Sequence, residues 1–417
     1  MSERDARMLV PQYVRRFACI GGACEDTCCK GWQVTIDEGT YKKYRRCPDP
    51  ELLVQMTANV TRNRKNPTRS FYAKVRLTVD ASCPFLDAER LCGIQKRLGE
   101  EYLSETCTSY PRVRNVVNGL LEESMTMACP EAARLALLDP DAMEFDQIAR
   151  PPLHITKLNA VDASSLPPTK LGHYFWELRI FSIQVLQHRG YSAGDRVLLL
   201  GLFLRALQEL VDQGTVVETR QLIASYTANI ERGAYREHLA ELRSQSSVPV
   251  ALLRQIEDRG LLSGSIAPRY LECLLEYSAG IGHRDEATIE DVARTYAEAC
   301  EKYYEPFMKT HEYILENLLV NFVFRGLFPF SGSNQPFNNY VLLAVYYSLI
   351  RTFLIGMAGF HKERFSTEHV LKLIQSFAKT IEHNPTYLSR LHTALMANES
   401  ASMAHMTVLI NSGSSGR

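Results

Sequence analysis

Residues 341–360 read VLLAVYYSLIRTFLIGMAGF. The stretch is as long as a bilayer span, which needs about 20 apolar residues. It also carries Tyr346, Tyr347, Ser348, Arg351 and Thr352. A charge in mid-span is costly in lipid. The better reading is a helix buried in a protein core, with no transmembrane segment and with peripheral membrane contact left open. LLLGLFLRALQEL (198–210) is too short to span and reads the same way.

Outward from these two stretches, apolar residues recur at helical spacing from Gly172 onward. The spacing predicts helices over 172–189, 193–213, 218–231, 234–244, 249–258, 266–279, 287–303, 307–326, 338–359, 366–382 and 385–397. Ser192, Thr288 and Ser366 are expected N-caps, the last two with acidic residues in the following turn. SAGIGHRD (278–285) follows the helical LECLLEY, with no strand before it and no acidic residue at a strand end about twenty residues on. It is an inter-helix turn, not the phosphate loop of a doubly wound fold.

The first 150 residues are different in kind. WQVTID (32–37) and YAKVRL (72–77) alternate like short strands. VRNVVNGLLEESMTMAC (113–129) predicts a hairpin turning at Asn118-Gly119. TRNRKNPTRS (61–70) is a polar, basic loop. A short helical piece is expected from Ile94 to Tyr102, and another in PEAARLALLDPDAM. The fold class is therefore mainly α. A cysteine-rich, mixed α/β metal-binding domain over 1–150 precedes an all-α helical domain over 151–410, with PPLHITKLNAVDASSLPP (151–168) as the linker and a disordered tail at 411–417.

Composition bounds the function. In 417 residues, 46% are hydrophobic and 23% charged, with zero formal net charge. That supports a globular core and gives no electrostatic reason to expect nucleic acid. MSERDARMLVPQYVRR has no apolar core of a secretory signal. The expected location is the cytoplasm, where thiols stay reduced.

Nine of the eleven cysteines nevertheless fall between Cys19 and Cys129, and no histidine precedes His154. A metal held in this part is held mainly by thiolates, the soft ligands of zinc and iron–sulfur clusters. The spacing lacks the paired C-x2-C of zinc modules and the C-x2-C-x2-C run of bacterial ferredoxins. The radical pattern C-x3-C-x2-C fails because Gly31 stands where the third cysteine belongs. Gly21-Gly22 lets the backbone bend tightly between the first two thiols. An iron–sulfur cluster is favoured over zinc.

CIGGACEDTCCKGWQVTID (19–37), CPFLDAERLCGIQKRLGEEYLSETCTSYPR (83–112) and ACPEAARLALLDPDAM (128–143) resemble the flagellin lysine-N-methylases of enteric bacteria. The resemblance is specific over the first 143 residues and weaker around ENLLVNFVFRGLFPF (316–330). It implies a bacterial methyltransferase acting on flagellin lysines, S-adenosylmethionine as donor, and an oxygen-sensitive 4Fe-4S cluster. Eight cysteines match the family pattern as metal candidates: Cys19, Cys24, Cys28, Cys29, Cys83, Cys92, Cys107 and Cys129. Cys47 does not match. Which four would bind iron is left open, with the N-terminal four favoured. Rival readings are a zinc- or iron-chelating binding protein and an electron-transfer protein, neither of them methylating.

Methyl transfer to lysine needs a neutral amine, and a free pKa of about 10.4 leaves little of it at neutral pH. A base or a desolvating pocket must supply it. Asp87 and Tyr110 are the catalytic candidates. Arg112, a partner for a donor carboxylate, and Trp32, a face for a cation, are the cofactor-binding candidates.

Overall fold

The computed structural model describes residues 7–149, 158–244, 267–284, 287–330, 335–381 and 402–411. The expected helices at 249–258 and 385–397, and 412–417 of the expected tail, lie outside the described residues; Asn411, the first residue of that expected tail, is instead buried as the C-cap of the helix Met403–Ile410. The chain forms two compact units. One holds Met1–Ala133 and Phe145–Ala160, the other Arg134–Glu144 and Val161–Arg417. The expected boundary at 150 thus falls inside a segment that returns to the first unit.

The first unit contains two sheets. The larger has the order β7-β1-β6-β5-β8, with β1 Arg7–Pro11, β5 Arg112–Val117, β6 Leu120–Met125, β7 Phe145–Ala149 and β8 Asn159–Val161. β5 and β6 form the expected hairpin, in register from Arg112↔Met125 to Val117↔Leu120. Asn118 and Gly119 take φ of 49° and 80°, the paired left-handed conformations that match hairpin twist. β1 was not expected. It is a short strand, parallel to β6 and antiparallel to β7; α1 (Gln12–Arg16) follows it, and α6 (Pro130–Leu137) follows β6.

The smaller sheet has the order β2-β4-β3, with β2 Thr35–Ile36, β3 Val60–Arg62 and β4 Ala73–Val75. The first two residues of the expected basic loop, Thr61 and Arg62, therefore belong to a strand that pairs with β4. Beside this sheet lie α2 (Glu38–Tyr44), α3 (Pro50–Asn59), α4 (Gly93–Leu98) and α5 (Glu105–Ser109), around Val34, Ile36, Tyr44, Leu52, Met56, Val75, Phe85 and Ile94. Asp37 and Asp49 cap α2 and α3 by accepting from the Thr40 and Leu52 amides at 2.8 and 3.1 Å. Pro50 occupies the first turn of α3, where its missing N–H costs nothing.

The second unit is helical, as its periodicity predicts. It begins with α7 (Phe175–Leu186), α8 (Ala193–Gln213), α9 (Thr219–Glu231) and α10 (Arg236–Ser244). The opening stretch lies in the helix Pro336–His361, which packs against α8 and against the helices Pro268–Gly280, Ile289–Ala299, Thr367–Ile381 and Met403–Ile410. By length and composition it is apolar enough to cross a membrane, yet its most apolar window is 94% buried within the protein. It approaches Pro268–Gly280 at backbone distance. A methyl group on Gly280 would sit 1.8 Å from the Gly356 carbonyl oxygen, and one on Gly356 would sit 2.3 Å from Tyr277. SAGIGHRD begins at the end of that helix and turns at Gly282, with φ of 67°.

A buried ion pair fastens α8 to the helix Tyr313–Arg325. Arg196 donates to Glu316 at 2.6 Å and to Glu312 at 2.8 Å, and the Arg196 and Glu316 side chains are each 2% exposed. The expected helix 307–326 is in fact two, Glu305–His311 and Tyr313–Arg325, parted at Glu312. The helix expected over 287–303 is α-helical to Ala299, and Cys300–Tyr304 is a π-helical turn.

Candidate functional site

Four segments of the first unit bring thiols together, and main-chain hydrogen bonds fix how. The Cys83 amide donates to the Cys29 carbonyl at 2.7 Å, and the Gly31 amide to Ala81 at 2.9 Å. The Gly93 amide donates to Phe85 at 2.7 Å, which folds Cys92 back toward Cys83. Ser104 caps α5 by accepting from the Cys107 amide at 3.3 Å. Asp37 holds α5 beside β2 by accepting from the Glu105 amide at 3.0 Å, and the Thr35 and Thr106 hydroxyls meet at 2.6 Å.

Cys28, Cys29, Cys83, Cys92 and Cys107 consequently line one cavity of about 80 Å³, closed by the rings of Trp32, Tyr44 and Tyr110. Trp32 and Tyr110 stack with centroids 5.7 Å apart. The Trp32 indole donates to the Cys28 carbonyl at 2.7 Å. Tyr44 was not a sequence candidate. It sits among the apolar positions of α2, so nothing in the pattern set it apart from core.

Cys29, Cys92 and Cys107 resist ionisation. The Cys29 thiol bonds those of Cys28, which favours its thiolate, and Cys83, which opposes it. Burial adds to the opposition and lifts its pKa to about 12. Burial, helped by Cys92 and Cys28, lifts Cys107 to about 11. Burial also raises Cys92, with Cys28 and Asp87 adding to the rise. Tyr110 is pushed well above the ordinary phenol range by burial, then by Cys129 and Cys28. A phenol so raised donates a hydrogen bond at neutral pH and is a poor base.

Among the described residues, no three Cys, His, Asp or Glu side chains are disposed as they stand to hold a metal ion. The chemistry of the donor set still suits one. Burial and mutual repulsion oppose thiolate formation here, and a cation among the sulfurs relieves both.

The N-terminal four cysteines do not share this cavity. Cys28 and Cys29 line it, whereas Cys19 and Cys24 neighbour Cys129. Burial lifts Cys129 to about 12, with Cys24 and Cys19 adding to the rise. The glycine pair between Cys19 and Cys24 acts as its sequence suggests. Gly21 has φ of 56°, and a methyl group on Gly22 would come within 3.0 Å of the Glu89 carbonyl oxygen.

The other candidates stand apart from the cavity lining. Asp87 accepts from the Glu89 and Leu91 amides, each at 2.9 Å, and pairs with Lys96 at 3.2 Å. The Leu91 amide outweighs the opposing effect of burial, and with Lys96 it keeps the Asp87 carboxyl below its ordinary range. Asp87 organises the turn that returns the chain to Cys92. Arg112 lies on β5 with Glu123 at 3.5 Å and the face of Phe17 at 5.2 Å. The Cys47 thiol is buried and donates to the Asp49 carbonyl at 3.6 Å.

The helical unit has a larger cavity, about 420 Å³, whose wall includes Tyr191, Tyr304, Glu305, Tyr347, Arg351 and Asn411. Sequence reasoning did not single it out as a site. Its residues come from segments more than 200 positions apart, each reading as ordinary helix or loop.

A family model described as the FliB lysine N-methylase C-terminal domain matches residues 179–409. The lysine-N-methylases of Salmonella typhimurium and Salmonella choleraesuis are each 27% identical to this chain. Each match covers 97% of this chain and 99% of the relative. The flagellar biosynthetic protein FliU of Salmonella muenchen is 40% identical over 145 residues, covering 34% of this chain and 85% of the relative. No solved structure matches. Because the family model spans more than half of its length, the chain belongs to the FliB lysine N-methylase family and is a protein-lysine N-methyltransferase.

Proposed function

We propose that the chain methylates lysine side chains of flagellin in the cytoplasm, with S-adenosylmethionine as donor, and that its first unit holds a 4Fe-4S cluster. The observation that carries the metal reading is the convergence of five thiols from four segments on one cavity, in a unit whose sequence has no histidine before His154. The likeness to a flagellar biosynthetic protein, FliU, supports flagellin as the substrate.

Cys28, Cys29, Cys83, Cys92 and Cys107 are the residues that would hold the cluster, four as ligands and one as a neighbouring thiol. Bound there, a cluster supplies a one-electron redox centre and a Lewis-acidic iron. The protein's own part is to keep water out with Trp32, Tyr44 and Tyr110, and to hold the sulfurs in place through Cys83–Cys29 and Gly93–Phe85 pairing. Polar methyl transfer also demands that amine, methyl carbon and sulfur lie in line, an arrangement that supplies much of the rate by orientation.

The test is anaerobic purification followed by iron, sulfide and zinc analysis, then methylation of purified flagellin with labelled donor. Iron and sulfide in equal amounts with donor-dependent labelling are expected. Stoichiometric zinc without colour would remove the cluster and leave the methylase. Methylated flagellin that carries no label from the donor would remove S-adenosylmethionine.

A further inference from the structure

We propose that the 420 Å³ cavity of the helical unit is the methyl-donor site, taking a small molecule that carries both a carboxylate and a cationic centre. The donor's identity rests on the function proposed above. The placement rests on the cavity itself.

Size is the first argument. Small-molecule sites run from about 300 to 1,000 Å³, and this cavity falls in that range. The thiol cavity holds about 80 Å³ and has no charged side chain in its lining. It suits a compact inorganic group and is too small for a nucleoside-bearing donor.

The second argument is an unmet donor. Asn411 lines the larger cavity and is 3% exposed, yet its Nδ2 has no hydrogen-bond partner among the described residues. Buried polar groups are nearly always satisfied, and an exception calls for a cause. An acceptor oxygen of a ligand supplies one. Arg351 lines the same cavity from the helix Pro336–His361. Its guanidinium sits 5.5 Å from the Tyr304 ring and 3.7 Å from the Cys300 sulfur. A buried guanidinium and an amide N–H suit a carboxylate.

The third argument is the opposite charge nearby. Glu305 and Glu312 line the wall, with the rings of Tyr191, Tyr304 and Tyr347. Carboxylates and aromatic faces favour a cation. Glu312 is held rigidly, accepting from the Ala193 amide and from Arg196, each at 2.8 Å. Tyr304 reaches the wall through the π-helical turn Cys300–Tyr304, a distortion that recurs at functional sites. A protein lysine would bring a cation and methylenes but no anion, so the mixed lining favours the donor over the acceptor.

The test is calorimetric titration of the full chain with S-adenosylmethionine, comparing wild type with Asn411→Asp and Glu305→Gln. Asn411→Asp keeps the shape and sets a negative charge against the ligand carboxylate. It should weaken binding by about tenfold or more, with the thermal unfolding midpoint unchanged. Glu305→Gln should also weaken binding and decides the matter if Asn411→Asp disturbs folding. Unchanged affinity in folded forms of both variants would overturn the placement and leave the donor reading intact. Failure of the wild-type chain to bind the donor, with or without its metal, would overturn both.

Discussion

The two units solve different problems. The helical unit is a dense apolar core crossed by one long helix, and it buries an ion pair, Arg196–Glu316 at 2.6 Å. The cysteine-rich unit is built from strands of two to six residues and short helices, and the apolar cluster beside its smaller sheet adjoins an uncharged thiol cavity. In the first case packing makes the fold and leaves a cavity. In the second, turns and caps carry thiols from four segments to one point. Breaking a packed charge should therefore damage the helical unit more than breaking a cap damages the other.

The largest effect expected is from Glu316→Gln. The carboxylate serves Arg196 and Arg189, and the pair with Arg196 is fully buried. Losing that charge leaves buried Arg196 with only Glu312, whose side chain is 37% exposed, at a cost of up to about 3–5 kcal/mol. Urea titration followed by far-ultraviolet circular dichroism measures it. A loss under about 1 kcal/mol would mean that water reaches Arg196 and that the helical unit is less tightly closed than its burial indicates.

Asp37→Asn tests the cap-built unit at its most connected point. Burial works against the Asp37 carboxylate, but the Glu105 and Thr40 amides outweigh it and lower its pKa. Asparagine can still cap α2, while its second polar atom is a donor that faces the Glu105 amide. The loss should be about 1.5–3 kcal/mol, the range for hydrogen bonds to charged groups. A depressed folded pKa gives stability that is present above the unfolded value of about 3.9 and is lost as pH falls through the folded value. Wild type and variant should therefore converge in acid. A gap that persists below the folded pKa would assign the cost to steric strain instead of charge.

Sequence legibility divides along the same line. The helices were readable because a 3.6-residue period records which face is buried, and Ser192 and Thr288 cap where expected. The hairpin at Asn118-Gly119 was readable because its turn is local. The π-helical turn and the break at Glu312 were not, since both keep helical apolar spacing. Nor was the grouping of the thiols. Spacing along the chain leaves the set open, with Cys19, Cys24, Cys28 and Cys29 only preferred, because the Cys83–Cys29 and Gly93–Phe85 hydrogen bonds join residues that are apart in sequence. The pairing of the small sheet is tertiary information of the same kind.

Cys47→Ser is the smallest change and the sharpest test of the proposed ligand set. Cys47 is as buried as Cys83, so burial alone does not separate them. Position does. Cys83 lines the thiol cavity, and Cys47 belongs to the apolar cluster with its sulfur aimed at the Asp49 carbonyl. A serine hydroxyl can keep that acceptor, so stability should change by no more than about 1 kcal/mol. Iron content should be the same as in wild type, while Cys83→Ser should lower it. If Cys47→Ser halves the iron, the metal draws on the core cluster as well as on the cavity. The thiols would then act as an organiser of the whole small unit, and the contrast with the packed helical unit would be one of metal against hydrocarbon.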